Sequence, residues 1–270
     1  MSNFASTLKN VNKKMMNSNI MKIIIKIARS KVFAYFLAIL TVIAFMVFVV
    51  VRQTSKFSFA SFDIYINMII TGVWNTVFLS LITLVGSMVL GFIFYLLSIS
   101  KIKYFNALID VLTEIIYGTP LLVFMVVMAF LIGPAFAAYT RFLMGTLALI
   151  FYMTPYMKNV YKSAISSISD EQYMAMDLFG FTSYQKYRYI IIPQVVRILM
   201  PPLMNNFSMI IKGSALIYVL SWPEIFYSIR VIQSRTFAFV EGYILMWGLY
   251  LIITIPLSQL TKVIERKWSL

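Results

Sequence analysis

The polar side chains that interrupt long apolar runs are the groups in this sequence that could do chemistry. Lys158 and Asn159 end one apolar run, and Asn205, Lys212 and Ser214 lie within another. Ionisable groups are costly in an apolar segment and usually serve a function there. Because these side chains donate and accept hydrogen bonds, they predict a path for a polar solute. For Lys212, a structural contact with a backbone carbonyl or an acid is an equal alternative.

Bond-making chemistry has little support in this sequence. The chain has no His and no Cys, which removes the commonest general base, many metal ligands and the thiol nucleophile. It also lacks the G-x-x-x-x-G-K-[ST] loop that cradles ATP phosphates. Helix capping explains the adjacent acids Asp170 and Glu171. We therefore expect no catalytic residue, no metal site and no cofactor bound by this chain.

The composition indicates what must position these groups. Of the 270 residues, 61% are hydrophobic and 12% are charged, against roughly 45–50% and about 25% in soluble domains. A soluble globule could not cover such a surface, so an integral membrane protein is predicted. The net charge of +14 fits the positive-inside rule better than binding to nucleic acid.

Charge-free runs predict six transmembrane helices and an all-α fold. They lie at 32–51, 72–100, 115–140, 142–157, 198–223 and 242–261, with a turn at Gly133-Pro134 inside the third. The runs are continuous, unlike the alternating strands of an outer-membrane barrel. The first span is expected to be a retained anchor rather than a signal peptide.

Lys and Arg predict the orientation, with both termini in the cytoplasm of a multi-pass protein of the cell membrane. The expected inner segments, including the loop at 101–110, carry 16 basic residues and the outer segments carry five. Glu114 is expected at a helix N-terminus, where an acid complements the helix dipole. The tail at 15–30 either forms a basic amphipathic helix on the membrane or is solvated.

The cytoplasmic loop at 166–197 is the one sizeable polar segment. Ser169 to Gln172 reads as a capping box, so a helix should run to about Phe179 and stop at Gly180. Thr182 or Ser183 should cap a second helix that Pro193 ends, with Pro201-Pro202 near the entry to the next span.

Apolar residues recur on the first helix of this loop. Tyr173, Met176 and Phe179 lie three apart, with Met174 and Leu178 beside them. This face either packs against the chain's own spans or docks in a groove of another protein. The sequence leaves both interpretations open.

Several motifs of the chain, in order, resemble the permease subunits of ABC importers of the polar-amino-acid type. Gly72-x3-Thr76 is similar to the family's G-x-x-x-T-L, and 118–123 reads G-T-P-L-L-V. The family's E-A-A-x-x-x-G loop, L-P-Q-A-L-R, P-P-x-x-N, K-D-T-S-L and P-E match in register. The matching residues are Gln172, Ala175, Gly180, Pro193, Gln194, Arg197, Pro201, Pro202, Asn205, Lys212, Leu216, Pro223 and Glu224.

The chain departs from the family pattern at several positions. The glutamate of E-A-A is Met174 and its second alanine is Met176. The arginine before G-T-P is Tyr117, the acid of Y-x-A-E-x-x-R is Asn159, and the acid of K-D-T-S-L is Gly213. With fewer anionic groups to hold an ammonium, the ligand is expected to be neutral or acidic rather than cationic.

The resemblance implies a division of the chain and a set of partners. It implies a basic tail at 1–31, an extra helix at 32–51 and a permease domain at 66–268. The partners are a dimer of ATPase subunits carrying ATP-Mg, a second permease subunit, the same or homologous, and an extracytoplasmic binding protein. It assigns ATPase coupling to Asp170, Glu171, Gln172, Tyr173, Met174, Ala175, Met176 and Gly180. Lys158, Asn159, Asn205, Lys212 and Ser214 remain the substrate-path candidates.

Three other functions remain as alternatives. An ion-gradient-driven secondary transporter would need central intramembrane acids, whereas Asp110, Glu114 and Glu241 lie at the edges of spans. A membrane enzyme would need paired carboxylates that the sequence does not offer at a useful spacing. A permease-like scaffold without its own substrate site would fit the substitutions at Tyr117, Asn159 and Met174.

Overall fold

The computed structural model describes residues 30–53, 58–136 and 140–268. The chain divides into two units, Met1–Phe57 and Ser58–Leu270. Helix α1, Lys31–Gln53, belongs to the first unit and has 23 residues, which extend about 34 Å at 1.5 Å each. That length is enough to cross a membrane. The expected amphipathic tail helix lies outside the described residues, except for Ser30.

The second unit is built from eight helices among its described residues. They are α2 Ala60–Ser98, α3 Lys103–Gly118, α4 Leu121–Ala135, α5 Arg141–Ser166, α6 Asp170–Leu178, α7 Ser183–Leu220, α8 Ile225–Thr236 and α9 Phe239–Trp268. Regular secondary structure in the described part of the chain is entirely helical. The prediction of an all-helical integral membrane protein is therefore confirmed.

The number of membrane spans identified by length and composition is lower than six. Helices α1, α2, α7 and α9 qualify individually, and α3 with α4 would make a fifth span if the bent pair crosses once. Helix α5 does not qualify, although its 26 residues extend about 39 Å. It carries buried polar residues, including Thr146, Thr154 and Lys158, which lower its hydropathy while facing the interior of the protein.

The expected third span is broken at a different place from the one predicted. Helix α3 ends at Gly118, Thr119 and Pro120 are extended, and the α3 and α4 axes differ by 114°. Proline disfavours helical backbone at the residue before it, which explains the break at Thr119. The turn predicted at Gly133-Pro134 is wrong, because α4 passes through both residues after a π-helical turn at Met128–Ile132.

The segment at 101–110 is mostly helix rather than the expected loop. Helix α3 begins at Lys103, so Asp110 lies in its middle and Glu114 lies near its C-terminal end. The assignment of Glu114 to a helix N-terminus is therefore wrong. A favourable interaction with the positive end of the helix dipole does not explain this acid.

Helix α7 continues through three prolines that were expected to interrupt or precede it. Its α-helical opening Ser183–Gln185 leads into a π-helical segment, Lys186–Ile191, and then into Ile192–Ser214. Pro193 therefore does not end a helix, and Pro201-Pro202 lie inside one. The wider π-helical turn changes the hydrogen-bond pattern just before Pro193, where the proline ring would otherwise clash with a carbonyl.

Helix α5 is the centre of the second unit, packed along α2 and α7. A Cβ on Gly91 of α2 would lie 2.4 Å from the Met157 Cβ and 3.1 Å from the Lys158 backbone nitrogen. Only glycine fits where the two backbones approach this closely. This packing fixes where Lys158 and its neighbours lie.

Candidate functional site

The first turn of α6 is held by a serine cap. Ser169 has extended backbone and its hydroxyl accepts a hydrogen bond from the Gln172 N–H at 3.4 Å. The same hydroxyl holds the pKa of the exposed Glu171 carboxyl below its usual value by hydrogen bonding to the charged form. The predicted serine cap is confirmed.

The reciprocal half of the predicted capping box is not formed at α6. The Gln172 side chain instead donates to Gln194 Oε1 of α7 at 3.3 Å. A complete capping box occurs at the start of α7, where Thr182 and Gln185 bond each other's backbone N–H. The tertiary contact with α7 explains why Gln172 turns away from its own helix end.

The last turn of α6 forms a Schellman motif. The N–H of Phe181 bonds the Met176 carbonyl and the N–H of Gly180 bonds the Asp177 carbonyl, each at 3.0 Å. Gly180 has φ +72°, a conformation that favours glycine. The predicted stop at Gly180 is therefore confirmed. An ion pair between Lys186 and Asp177 adds a second link between α6 and α7.

The apolar residues of α6 lie on two different faces, one packed against the chain's own helices and one exposed. Packing against the chain's own spans is therefore confirmed for part of the set, and docking on another protein stays a prediction for the exposed part. Met176 is 4% exposed and packs with Met157 of α5 and Val195 of α7, with Tyr173 half-buried beside it. Met174, Leu178 and Phe179 are 60%, 89% and 81% exposed. Asp170, Gln172 and Ala175 are also exposed. One face anchors the helix and the other offers apolar surface.

Lys158 is buried and its charge is used inside the protein. It is 7% exposed, and its Nζ donates to Thr113 Oγ1 of α3 at 3.0 Å. Asp110, one turn earlier on α3, interacts electrostatically with it. This candidate for the substrate path links α5 to α3 and does not present its ammonium to an open surface.

Asn159, the next residue, points outward. Its side-chain amide donates to the Tyr117 hydroxyl at 2.7 Å, and both residues are exposed. The Tyr117 ring packs on Tyr156, and Tyr156 packs on Tyr152, with centroids 5.0 and 6.1 Å apart. Exposed hydroxyl and amide groups here form a neutral polar surface along α5.

The three candidates on α7 have different surroundings. Lys212 and Asn205 are exposed, and Asn205 lines a groove between α7 and α9. Ser214 is fully buried and donates to the Ile211 carbonyl at 2.8 Å within its own helix. The structure therefore does not bring the five path candidates into one cluster.

Glu224 is a buried polar centre that the sequence did not place among the path candidates. Its fully buried carboxylate caps α8, accepting from the Phe226 and Tyr227 N–H groups at 2.8 and 2.7 Å. It also accepts from the Tyr250 hydroxyl of α9 at 2.7 Å. An acid directly before an apolar helix was a capping signal in the sequence. The contact between the Glu224 and Tyr250 side chains had no corresponding signal in the sequence.

Helix α2 completes this junction. The Asn75 side chain donates to the Pro223 carbonyl at 2.7 Å, and the Thr76 hydroxyl accepts from the Ile225 N–H at 3.1 Å. The chain between α7 and α8 is therefore fixed to both α2 and α9. In the described part of the chain, no group of three or more His, Cys, Asp or Glu side chains could hold a metal ion.

Comparison with known proteins identifies the architecture. The model of the family described as the inner membrane component of binding-protein-dependent transport systems matches residues 87–270. The probable glutamine ABC transporter permease protein GlnM of Bacillus subtilis is 31% identical over 209 residues, covering 77% of this chain and 95% of that protein. The L-cystine transport system permease protein TcyB of the same species is 29% identical, covering 73% and 84%.

Solved structures agree with these sequence matches. A chain from the crystal structure of an amino acid ABC transporter with histidines has a TM-score of 0.72 and 27% identity, covering 78% of this chain and 99% of that one. A chain of the inward-facing MetNI methionine ABC transporter, 15% identical with a TM-score of 0.58, shows the fold alone. The resemblance seen in the sequence is therefore confirmed, as are the predicted membrane location and the predicted non-catalytic role. This chain belongs to the inner-membrane permease subunits of binding-protein-dependent ABC transporters.

Proposed function

We propose that this chain is the permease subunit of an ATP-driven importer of a polar amino acid. The family match along 87–270 carries this proposal, and relatives named for glutamine and cystine support the substrate class. Family membership implies a binding protein and an ATPase as partners. A second permease subunit, the same or homologous, and a pair of ATPase subunits carrying ATP-Mg complete the proposed assembly.

The proposed topology has six crossings and cytoplasmic termini. In it, α1 contains the additional anchor expected at 32–51, which follows a basic tail at 1–31. The permease domain is 66–268, with its loop at 166–197. The excess of basic residues in the inner segments supports this orientation. Helices α3 and α4 together would make one crossing and α5 the next.

The exposed face of α6 is the proposed contact with the ATPase. Met174, Leu178 and Phe179 offer apolar surface that a groove could cover. Because α6 is capped at both ends and anchored by Met176, a displacement would reach α5 and α7 through their shared core. Closure of the ATPase pair would thereby shift the spans between inward- and outward-open states.

The proposed path runs along exposed polar groups of the permease. Asn159 with Tyr117, Asn205 and Lys212 would line it, while Lys158 and Ser214 would support it from inside the protein. Asn159 and Gly213 supply no carboxylate, which favours a neutral or acidic amino acid over a cationic one.

Reconstitution tests this function directly. The complex purified from its native membrane should take up L-glutamine or L-glutamate into sealed vesicles, and uptake should require both ATP and the binding protein. Accumulation by the lone permease, driven by an ion gradient, would instead identify a secondary transporter. ATP hydrolysis without solute uptake would indicate a scaffold subunit, and preferential uptake of L-arginine would contradict the proposed ligand class.

Cross-linking tests the contact through α6. The chain has no Cys, so an Ala175→Cys variant can be joined specifically to a cysteine placed in the ATPase groove. We expect the cross-link in the intact complex. A matched Ser234→Cys variant, exposed on α8, should not react with the same ATPase cysteine. If Ala175→Cys also fails to react, the docking of α6 is wrong.

A further inference from the structure

A polar groove lies between α7 and α9, toward the C-terminal end of α9. Its volume is about 490 Å³. Asn205 and Ser208 of α7 face Ser258, Thr261, Lys262 and Glu265 of α9 across it. We call this site the α7/α9 groove. It includes one of the residues of the proposed path, on the side where we propose the cytoplasm.

The two charged side chains of the groove are not paired with each other. In the described residues, neither Lys262 nor Glu265 has a hydrogen bond or an ion pair, although they are three residues apart on one helix. The side chains of Asn205, Ser208 and Ser258 also form no hydrogen bond with any residue in the described part of the chain. The groove therefore presents an unpaired ammonium, an unpaired carboxylate and several neutral polar groups.

The spacing of these residues shows that the groove has two polar faces. Positions 205 and 208 of α7, and 258, 261, 262 and 265 of α9, recur at intervals of three and four, which places each set on one side of its helix. A second cavity of this unit, about 620 Å³, is lined instead by apolar residues such as Phe94, Phe124 and Met128. A further cavity, of about 430 Å³, has Thr140 and Ser221 in its lining but no charged residue. Of these three cavities in the described residues, the α7/α9 groove alone has both a cationic and an anionic side chain in its lining.

We propose that the α7/α9 groove binds a free amino acid through its two backbone charges. Lys262 holds the α-carboxylate, Glu265 holds the α-ammonium, and Asn205 and Ser208 face the side chain, while Ser258 lines the groove beside Lys262. This site extends the proposed function, on which it rests, because it gives the imported amino acid a binding position near the inner end of its path.

The opposite charges select the ligand class. A simple anion would pair with Lys262 and be repelled by Glu265. A simple cation would pair with Glu265 and be repelled by Lys262. A zwitterion satisfies both groups at once. The phosphoethanolamine headgroup of a lipid has the same pair of charges, so the test must separate a free amino acid from this second source.

Protection of a single cysteine measures occupancy at this place. In the intact complex, a Ser258→Cys variant is labelled with a water-soluble thiol reagent, in vesicles that contain either phosphatidylcholine alone or added phosphatidylethanolamine. L-glutamine should slow labelling in both vesicles, about tenfold at ten times its dissociation constant. N-acetyl-L-glutamine lacks the α-ammonium charge and L-glutamine α-amide lacks the α-carboxylate charge, so neither compound should give protection.

Charge variants test whether protection arises in the groove. In the Ser258→Cys chain, Lys262→Gln or Glu265→Gln should each abolish protection, and exchanging the two charges with Lys262→Glu and Glu265→Lys should restore it. Arg266→Gln is the matched control, since it removes a charge from the same turn but does not line the groove. Protection that survives both single neutralisations would overturn the proposal.

Two further results separate the possible failures. If labelling is slower only in vesicles that contain phosphatidylethanolamine, and L-glutamine has no effect, the groove binds a lipid headgroup. That result would overturn the proposal. ATP-driven uptake is measured on the same wild-type complex. Its absence contradicts the proposed function, whereas uptake with no protection by L-glutamine contradicts only the groove.

Discussion

Two buried ionisable side chains in this permease, Lys158 and Glu224, have hydrogen-bond partners on other helices. Lys158 donates to Thr113, and Glu224 accepts from Tyr250. Lipid offers no hydrogen-bond partner, so an unpaired group inside a membrane protein would cost several kcal/mol. A polar residue type within an apolar run therefore has two explanations, a solute path or an internal contact. The structure favours the second for Lys158 and Ser214.

At Glu224, we expect a large loss of stability on substitution. Glu224→Gln keeps the shape of the side chain but replaces one carboxylate oxygen, a hydrogen-bond acceptor, with an NH₂ donor. That NH₂ would face an N–H or O–H donor in the buried junction, which should lower the free energy of unfolding by about 2–3 kcal/mol. Thermal unfolding of the purified permease measures it. Glu114→Gln, an exposed acid of α3, is the matched control. An equal effect in both variants would contradict the role of the buried junction.

At the scale of single helices, proline alone does not decide where a helix ends. Helix α5 contains Pro155, α7 contains Pro193, Pro201 and Pro202, and α9 contains Pro256. The chain breaks at Pro120, where Thr119 and Pro120 are both extended. Neighbouring helices and local π-helical turns compensate the missing N–H in a packed membrane protein. Proline in such a sequence marks a candidate break that packing can override.

The two methionines of α6 should separate anchoring from docking. Met176→Ala removes a buried side chain from the core shared with α5 and α7 and should lower the free energy of unfolding by about 2–4 kcal/mol. Met174→Ala changes an exposed residue and should leave stability within about 0.5 kcal/mol while weakening the coupling of ATP hydrolysis to uptake. Thermal unfolding and the uptake-to-hydrolysis ratio are the two measurements. A stable Met176→Ala variant would contradict the anchoring role.

Two glycines with equally open surroundings test the end of α6. A Cβ on Gly180 or Gly118 would meet nothing within 4 Å, but Gly180 has a positive φ. Gly180→Ala should therefore destabilise the end of α6 by about 1–2 kcal/mol through backbone strain, and Gly118→Ala should not. Hydrogen exchange at Phe181, whose N–H bonds Met176, reports this change. Unchanged exchange in Gly180→Ala would rule out the strain.

At the scale of the whole molecule, the helices of the second unit divide their surface between packing and exposure. Helix α5 is the least apolar of the long helices and lies at the centre, between α2 and α7. The apolar helices α2 and α9 expose large side chains, including Trp74 and Ile252, as expected for surfaces in contact with lipid. In this unit, the low mean hydropathy of α5 therefore follows from how little of its surface is exposed rather than from how long the helix is.

The proposed crossing by α5 can be tested in a chain that has no Cys. Phe136 precedes α5 and Ser167 follows it, and both are exposed. In intact cells, a membrane-impermeant thiol reagent should label Phe136→Cys at once and Ser167→Cys only after permeabilisation. The N–H and C=O groups of a crossing helix bond internally, which permits α5 to cross. Labelling of both cysteines from one side would contradict the six-span topology.

The sequence by itself determined the membrane class, the family and the two ends of α6. Apolar runs, a serine cap and a glycine stop are local signals, because each depends on residues within a few positions of one another. The motif order around Gly180 and Pro223-Glu224 was sufficient for the family. The ends of the helices around Pro120 and Pro193 were predicted less well, since packing determines whether a helix continues.

Only the tertiary structure decided which polar groups are paired and which face outward. Thr113 and Lys158 are 45 residues apart, Gln172 and Gln194 are 22 apart, and Glu224 and Tyr250 are 26 apart. No local pattern predicts such contacts, because they depend on how separate helices approach. The burial of Met176 beside the exposed Met174 has the same cause, since two residues of one type on one helix differ only in what packs against them.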